Sequence, residues 1–280
     1  MSPMQKVGWF GKSMLGLGYA FLYLPIVILV LFSFNASRIS TVWSGFSFKW
    51  YVALFNDESM LKAAWVSLKV AFTSATVSVI LATLAAMVLT RFRPFRGKTM
   101  FAALITAPLV MPEVVTALSL LLMFTTVFGM FGVEAKGMLS IFLAHVTFTM
   151  AFVTVVLSSR LAELDKSLEE AAMDLGANRV KVFFVITLPI IMPALVSGWL
   201  LAFTLSLDDV VIASFVSGPS ATTLPMKIFS TVRLGPNPKI NALASLLVML
   251  VAQAAVVGWY IMHRQERRRL RDIQLALKEG

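Results

Sequence analysis

Six runs of about 20 apolar residues, the length that carries a helix across the hydrocarbon core of a bilayer, occupy most of this 280-residue sequence. They fall at about 13–34, 68–90, 99–127, 138–157, 190–216 and 240–262. Only 14% of the residues are charged and 59% are hydrophobic, whereas a soluble domain carries roughly a quarter charged residues. The sequence therefore predicts an all-α integral membrane protein with six transmembrane helices, in a single domain over residues 1–280. The first run is longer than a signal-peptide core and lacks a small-residue cleavage site, so it is expected to stay attached.

Charge sets the expected orientation. Sixteen Lys and Arg lie in the N-terminal segment, 91–98, 158–189 and the tail after 262, against seven in 35–62, 128–137 and 217–239. By the positive-inside rule both termini are cytoplasmic. The net charge of +10 follows mostly from topology and calls for no nucleic acid. The tail residues Arg264, Arg267, Arg268, Arg269 and Arg271 read as a juxtamembrane anchor on anionic lipid.

One stretch between spans is polar. Glu170-Ala171-Ala172, three residues, Gly176, nine residues, then Ile186-Thr187-Leu188-Pro189 describe a short helix, a glycine turn and a second short helix. In 158–189, Leu161, Leu164, Leu168, Ala171, Ala172 and Leu175 recur at helical spacing between charged residues. Gly176 suits a left-handed helix stop, Asn178 can cap the next helix, and Pro189 marks the start of span five. Such a segment cannot be a span; it lies on one face of the bilayer as a docking surface.

Three acids sit inside spans: Glu113, Asp208 and Asp209. A carboxylate in hydrocarbon costs roughly 2.5–3.5 kcal/mol on insertion scales, so such residues face a bundle interior or a watery cavity. At 1.5 Å rise per residue, Glu113 falls about 21 Å and Asp208 about 27 Å from the cytoplasmic starts of their spans, at nearly one level. They suggest an acidic vestibule for a cationic solute. Thr204, one turn before Asp208, is placed to donate to it. His145 reads as a hydrogen-bonded packing residue. Pro108 and Pro112 should leave irregular backbone in span three. In the outer loop after span one, Trp43, Phe46, Phe48, Trp50 and Tyr51 read as an interfacial belt. The turn-rich loop 217–238 either cradles an external partner or connects two spans.

Several chemistries are excluded. There is no cysteine, no His and acid cluster with metal-ligand spacing, and no nucleophile–base pair. Gly97-Lys98-Thr99 ends like a phosphate-binding loop, but the required first glycine is Phe92 and no strand precedes it. The chain is not expected to be an enzyme or to bind a cofactor itself.

The Glu170 to Pro189 pattern resembles the signature of permease subunits of binding-protein-dependent ABC importers. That resemblance implies the type I importer permease fold, with ATPase coupling through Glu169, Glu170, Ala171, Ala172, Asp174, Gly176, Leu188 and Pro189. It implies as partners a second related permease, a cytoplasmic ATPase dimer that holds ATP and Mg, and a periplasmic binding protein, all in a bacterial inner membrane. Thr41-Val42-Trp43-Ser44-Gly45, the segment Ala107 to Glu113, the segment Ala202 to Val211 and the segment Asn237 to Ala244 resemble the polyamine branch, with putrescine and spermidine/putrescine permeases as the matching patterns. Asp208, Asp209 and Glu113 are then the expected substrate-pathway residues for a polyamine. A permease of the same architecture for another solute, such as an aminophosphonate or ferric ion, is the main alternative. A transporter acting alone would leave the docking signature without a purpose, and a membrane scaffold would not need acids at one depth.

Overall fold

The computed structural model describes residues 8–39, 42–235 and 237–253, with Val256, Tyr260, His263 and Arg264. The described residues are helical apart from loops and one isolated bridge between Asn35 and Phe46. In chain order the helices are α1 (Trp9–Ser33), α2 (Lys49–Phe55), α3 (Glu58–Arg91), α4 (Lys98–Val110), α5 (Glu113–Met130), α6 (Met138–Glu163), α7 (Lys166–Asp174), α8 (Arg179–Val182), α9 (Leu188–Asp208), α10 (Val211–Val216) and α11 (Leu224–Arg233). A twelfth, α12, covers Pro238–Gln253. Five stretches are long and apolar enough to cross a membrane: α1, α3, α5, α6 and the run Arg179–Asp208. The rest of the sixth expected span, Thr41 and the tail from residue 265 lie outside the described residues.

Two expected spans are broken. The run 99–127 is two helices, because Pro112 has no amide to donate and drives Met111 out of the helical region (φ −79°, ψ 138°). Pro108, by contrast, stays inside α4. The run 190–216 is also two helices, α9 and α10, parted at Asp209 (φ −64°, ψ 128°). At Pro189 the expected boundary is absent. Helix runs from Arg179 to Asp208 through a five-residue π turn, Phe183–Thr187, in which the Leu188 amide reaches back to the Phe183 carbonyl. A further helix, α11, occupies the loop expected to be turns.

The chain divides into two compact units, Met1–Glu58 with Thr231–Gly280, and Ser59–Ser230. In the second, α6 is the central post, with over half of its apolar stretch buried. One core joins it to α3, α5 and α10 through Val70, Phe124, Ile141, Phe148, Ile212 and Val216; the other joins it to α3 and α9 through Ala82, Ala86, Leu157, Leu161 and Ile191. Lipid is as apolar as a leucine side chain, so membrane helices associate through close packing of small residues and interhelical hydrogen bonds. Both are present here. Ala75, Ala82, Ala86 and Ala202 are buried, and hydroxyls bridge helices at Ser74–Ser206 (3.0 Å), Ser78–Thr149 (2.7 Å) and Trp199 Nε1–Thr76 (3.1 Å).

In the first unit the aromatics expected to form a belt pack on one another: Phe34 stacks on Phe46 at 5.1 Å and meets Phe48 and Tyr51 edge-on or tilted. Buried Asn35 organises the turn beneath them. Its Nδ2 donates to the Val42 carbonyl, its Oδ1 accepts the Ser37 and Ser44 amides, and its carbonyl accepts Trp50 Nε1. Tyr51 shares hydrogen bonds with Ser33 and Ser245, and Lys239 pairs with Asp57 at 3.0 Å.

Gly198 carries a testable consequence of close packing. A Cβ there would stand 3.0 Å from Val153 Cγ1 on α6. Gly198→Leu should lower the thermal stability of the purified protein by about 1–3 kcal/mol, the usual cost of overpacking. Gly16→Leu, with open space around it, should leave the melting curve within about 0.5 kcal/mol.

Candidate functional site

The polar segment between α6 and α9 forms as its capping residues dictate. Asp165 precedes α7, and its Oδ1 accepts the Ser167 amide at 2.9 Å. That hydrogen bond holds the Asp165 carboxyl below its ordinary 3.8. With the folded pKa depressed, the cap is at full strength at neutral pH and is lost only as pH falls through that lowered value. At the other end Gly176 turns the chain at φ +86°. The Gly176 amide donates to the Met173 carbonyl and the Ala177 amide to the Ala172 carbonyl. This pair of bonds is the Schellman stop, which needs a left-handed residue at Gly176. Asn178 Oδ1 then accepts the Lys181 amide and starts α8.

The segment leaves much of its apolar stripe exposed. Leu161 is buried at the end of α6, but no residue of α7 is. Leu168 is half exposed and Leu175 is 90% exposed, with Val180 at 64%. Glu170, Ala171 and Asp174 are exposed and Ala172 is half-buried. The apolar side chains of α7 and its turn thus point outward beside carboxylates, a surface with acid and apolar character together.

Glu169 is the exception. Its carboxylate turns inward, where Arg91 Nε lies 3.1 Å from Oε1 and 2.9 Å from Oε2, and Thr187 Oγ1 donates to Oε1 at 2.9 Å. Arg91 Nη2 also donates to the Leu164 carbonyl, left free where α6 ends. The Arg91 and Glu169 side chains are only 9% and 13% exposed. Leu188 and Pro189 lie just beyond Thr187, in the first turn of α9.

All three intramembrane acids sit at helix breaks. Glu113 opens α5, at the positive end of that helix's dipole, and is exposed. Asp208 is the last residue of α9, exposed, at the negative end. Asp209 occupies the gap and is buried. Its oxygens accept the Ile212 and Ala213 amides that open α10, and Oδ2 meets His145 Nε2 at 3.2 Å. His145 Nδ1 continues the chain to Ser206 at 2.6 Å, and Ser206 accepts from Ser74. The neighbouring acids therefore differ: Asp209 is buried and closes a break, and Asp208 is exposed. Thr204 donates to the Leu200 and Leu201 carbonyls, not to Asp208 as expected, because a threonine in a helix finds those carbonyls first. Sequence reasoning missed Arg91, Thr187 and the bonding of His145 to Asp209; pairs so far apart in the chain leave no periodic trace.

A cleft of about 780 Å³ in the first unit is lined by Arg38, Lys49, Trp50, Asn237 and Lys239 among others. Its cations make it a poor seat for a cationic solute. Among the described residues no group of three His, Cys, Asp or Glu could hold a metal ion.

The separation of Asp208 from Asp209 can be measured. Asp209→Ala strands His145 and two amides, and should destabilise the purified protein by about 1–3 kcal/mol. Asp208→Ala should shift the same melting curve by no more than about 0.5 kcal/mol.

Residues 78–271 match the family described as binding-protein-dependent transport system inner membrane component. The chain is 60% identical over 261 residues, 93% of each chain, to the putrescine transport system permease protein PotI of Escherichia coli strain K12. It is 45% identical over 246 residues, 88% of this chain and 93% of the relative, to the spermidine/putrescine transport system permease protein PotC of Haemophilus influenzae. The fold matches a chain of a bacterial ABC transporter involved in import of the acidic polysaccharide alginate, with TM-score 0.69 at 15% identity, over 94% of this chain and 98% of that one. A multi-pass protein of apolar helices, this chain belongs to the family of inner-membrane components of binding-protein-dependent transport systems.

Proposed function

We propose that the chain is the transmembrane permease subunit of an ATP-driven polyamine importer, with putrescine as substrate, and that it forms half of the translocation pathway. The observation that carries the reading is the outward-facing α7 and its glycine turn. Its exposed leucines, set among carboxylates, suit a cleft on a partner. The 60% identity to a putrescine permease across 93% of both chains supports the substrate.

In this reading the whole chain is one permease domain of six spans, with α12 as the start of the sixth and both termini cytoplasmic. The segment 158–189 then faces the cytoplasm, where a separate ATPase dimer binds ATP and Mg. Glu170, Ala171, Ala172, Asp174 and Gly176 form the surface that enters the ATPase, and Leu188 and Pro189 pass its motion to α9. A second, related permease completes the pathway, and a periplasmic protein delivers the diamine. Closure of the ATPase dimer pushes α7 and α8 and turns the spans outward; hydrolysis resets them. Asp208 and Glu113 attract the dication. An exposed carboxylate at the negative end of α9 is met best by a cation, and exposure keeps that attraction weak enough for release. Asp209 holds the break that presents Asp208.

Two substitutions test the division of labour. Glu170→Arg should abolish uptake while the protein still inserts in the membrane; normal uptake would remove α7 from coupling. Asp208→Asn should raise the KM for putrescine by about tenfold, equal to 1.4 kcal/mol of lost interaction, while ATPase binding persists. An unchanged KM would take Asp208 out of the pathway.

A further inference from the structure

Helix α7 has no buried residue, so no deeply packed side chain fastens it to the membrane helices. Its firm attachment through a side chain is Glu169. That carboxylate is held by Arg91, the last residue of the 34-residue helix α3, and by Thr187, the last residue of the π turn leading into α9. Arg91 also takes up the carbonyl of Leu164, where α6 ends. One ion pair therefore touches four segments: α3, the end of α6, α7 and the base of α9.

We propose that Arg91 and Glu169 are positioning residues that hand displacement of α7 to α3 and α9 together, so that both helices move in one stroke. The proposal rests on the coupling role of α7 inferred above. Three features suit the pair to that task. It is largely shielded from water, so salt and solvent screen it less than a surface pair. A guanidinium fork fixes direction as well as distance, which a lysine ammonium would not. The π turn beside Thr187 is a wound-out section of helix of the kind found at functional sites, and Thr187 ties it to the same carboxylate. The first turn of α7 also favours a negative charge at Glu169 through its helix dipole. Glu169 thus differs from its neighbour Glu170: Glu170 faces outward to the ATPase, and Glu169 faces inward to the spans.

The test uses the full complex in proteoliposomes with its binding protein, and reads putrescine transported per ATP hydrolysed, together with the ATPase retained through purification. Glu169→Gln and Arg91→Gln should each keep the ATPase bound and hydrolysing while putrescine per ATP falls at least about fivefold. The double variant should fall no further than the worse single, as expected of two residues acting as one unit. Thr187→Val, which leaves no charge unpaired, should lower the ratio about twofold and serves where the charge variants fail to accumulate. An unchanged ratio in the variants that accumulate overturns the proposal. So does loss of the ATPase from Glu169→Gln but not from Arg91→Gln, which would make Glu169 a direct contact. Glu170→Arg separates the two levels. If it leaves ATPase binding and uptake intact, the coupling role of α7 itself fails; if it strips the ATPase while the ratio stays unchanged in the other variants, only the link fails.

Discussion

A bilayer offers no water to a free amide or carbonyl, so each interruption of a membrane helix must be closed by the protein. In this chain that demand places Asp209. The gap between α9 and α10 is closed by Asp209, whose two oxygens take the first amides of α10 while His145 covers the outer oxygen. At the end of α6, in the polar segment beyond the spans, Arg91 takes a free carbonyl in the same way. At Met111–Pro112 the Pro112 carbonyl accepts the Val115 and Thr116 amides and starts α5 without help from a charge. Charges that looked functional in the sequence are thus divided between those spent on closing backbone and those left exposed.

That division shapes the electrostatics of the proposed pathway. Asp208 stands beside Asp209 in the chain yet is exposed, at a helix end whose own dipole adds negative potential. Glu113 stands at the opposite, positive end of its helix dipole. The cleft beside Arg38 and Lys49 is lined by cations and, among the described residues, offers no carboxylate to a cationic solute. A transported cation should meet scattered, solvated carboxylates and not a closed cage, so each holds it briefly.

Much of this was legible in sequence because it rests on local rules. Apolar length marked the crossing helices, Gly176 marked the turn, and Asn178 marked the cap of α8; each depends on residues within one or two turns. The failures share a cause. The break at Met111–Pro112 was announced by its prolines, but the Asp209 break was read as continuous span because apolarity is blind to backbone direction and no proline marks it. Leu168 and Leu175 were placed on a helical stripe by periodicity, which finds the apolar stripe of a helix but not what covers it. Glu169 and Glu170 are adjacent and chemically alike; Arg91, 78 positions away in sequence, and Thr187 turn one inward while the other stays exposed. The substrate, by contrast, was read from a family pattern and not from any local rule.

The most direct measurement is uptake of labelled putrescine into proteoliposomes holding this chain with its partner permease, ATPase and binding protein, with spermidine, spermine and an aminophosphonate as competitors. The structure and the relatives together predict uptake that requires ATP and is blocked best by unlabelled putrescine and not by the aminophosphonate. ATP-dependent uptake blocked by the aminophosphonate, or putrescine uptake that proceeds without the ATPase, would contradict it.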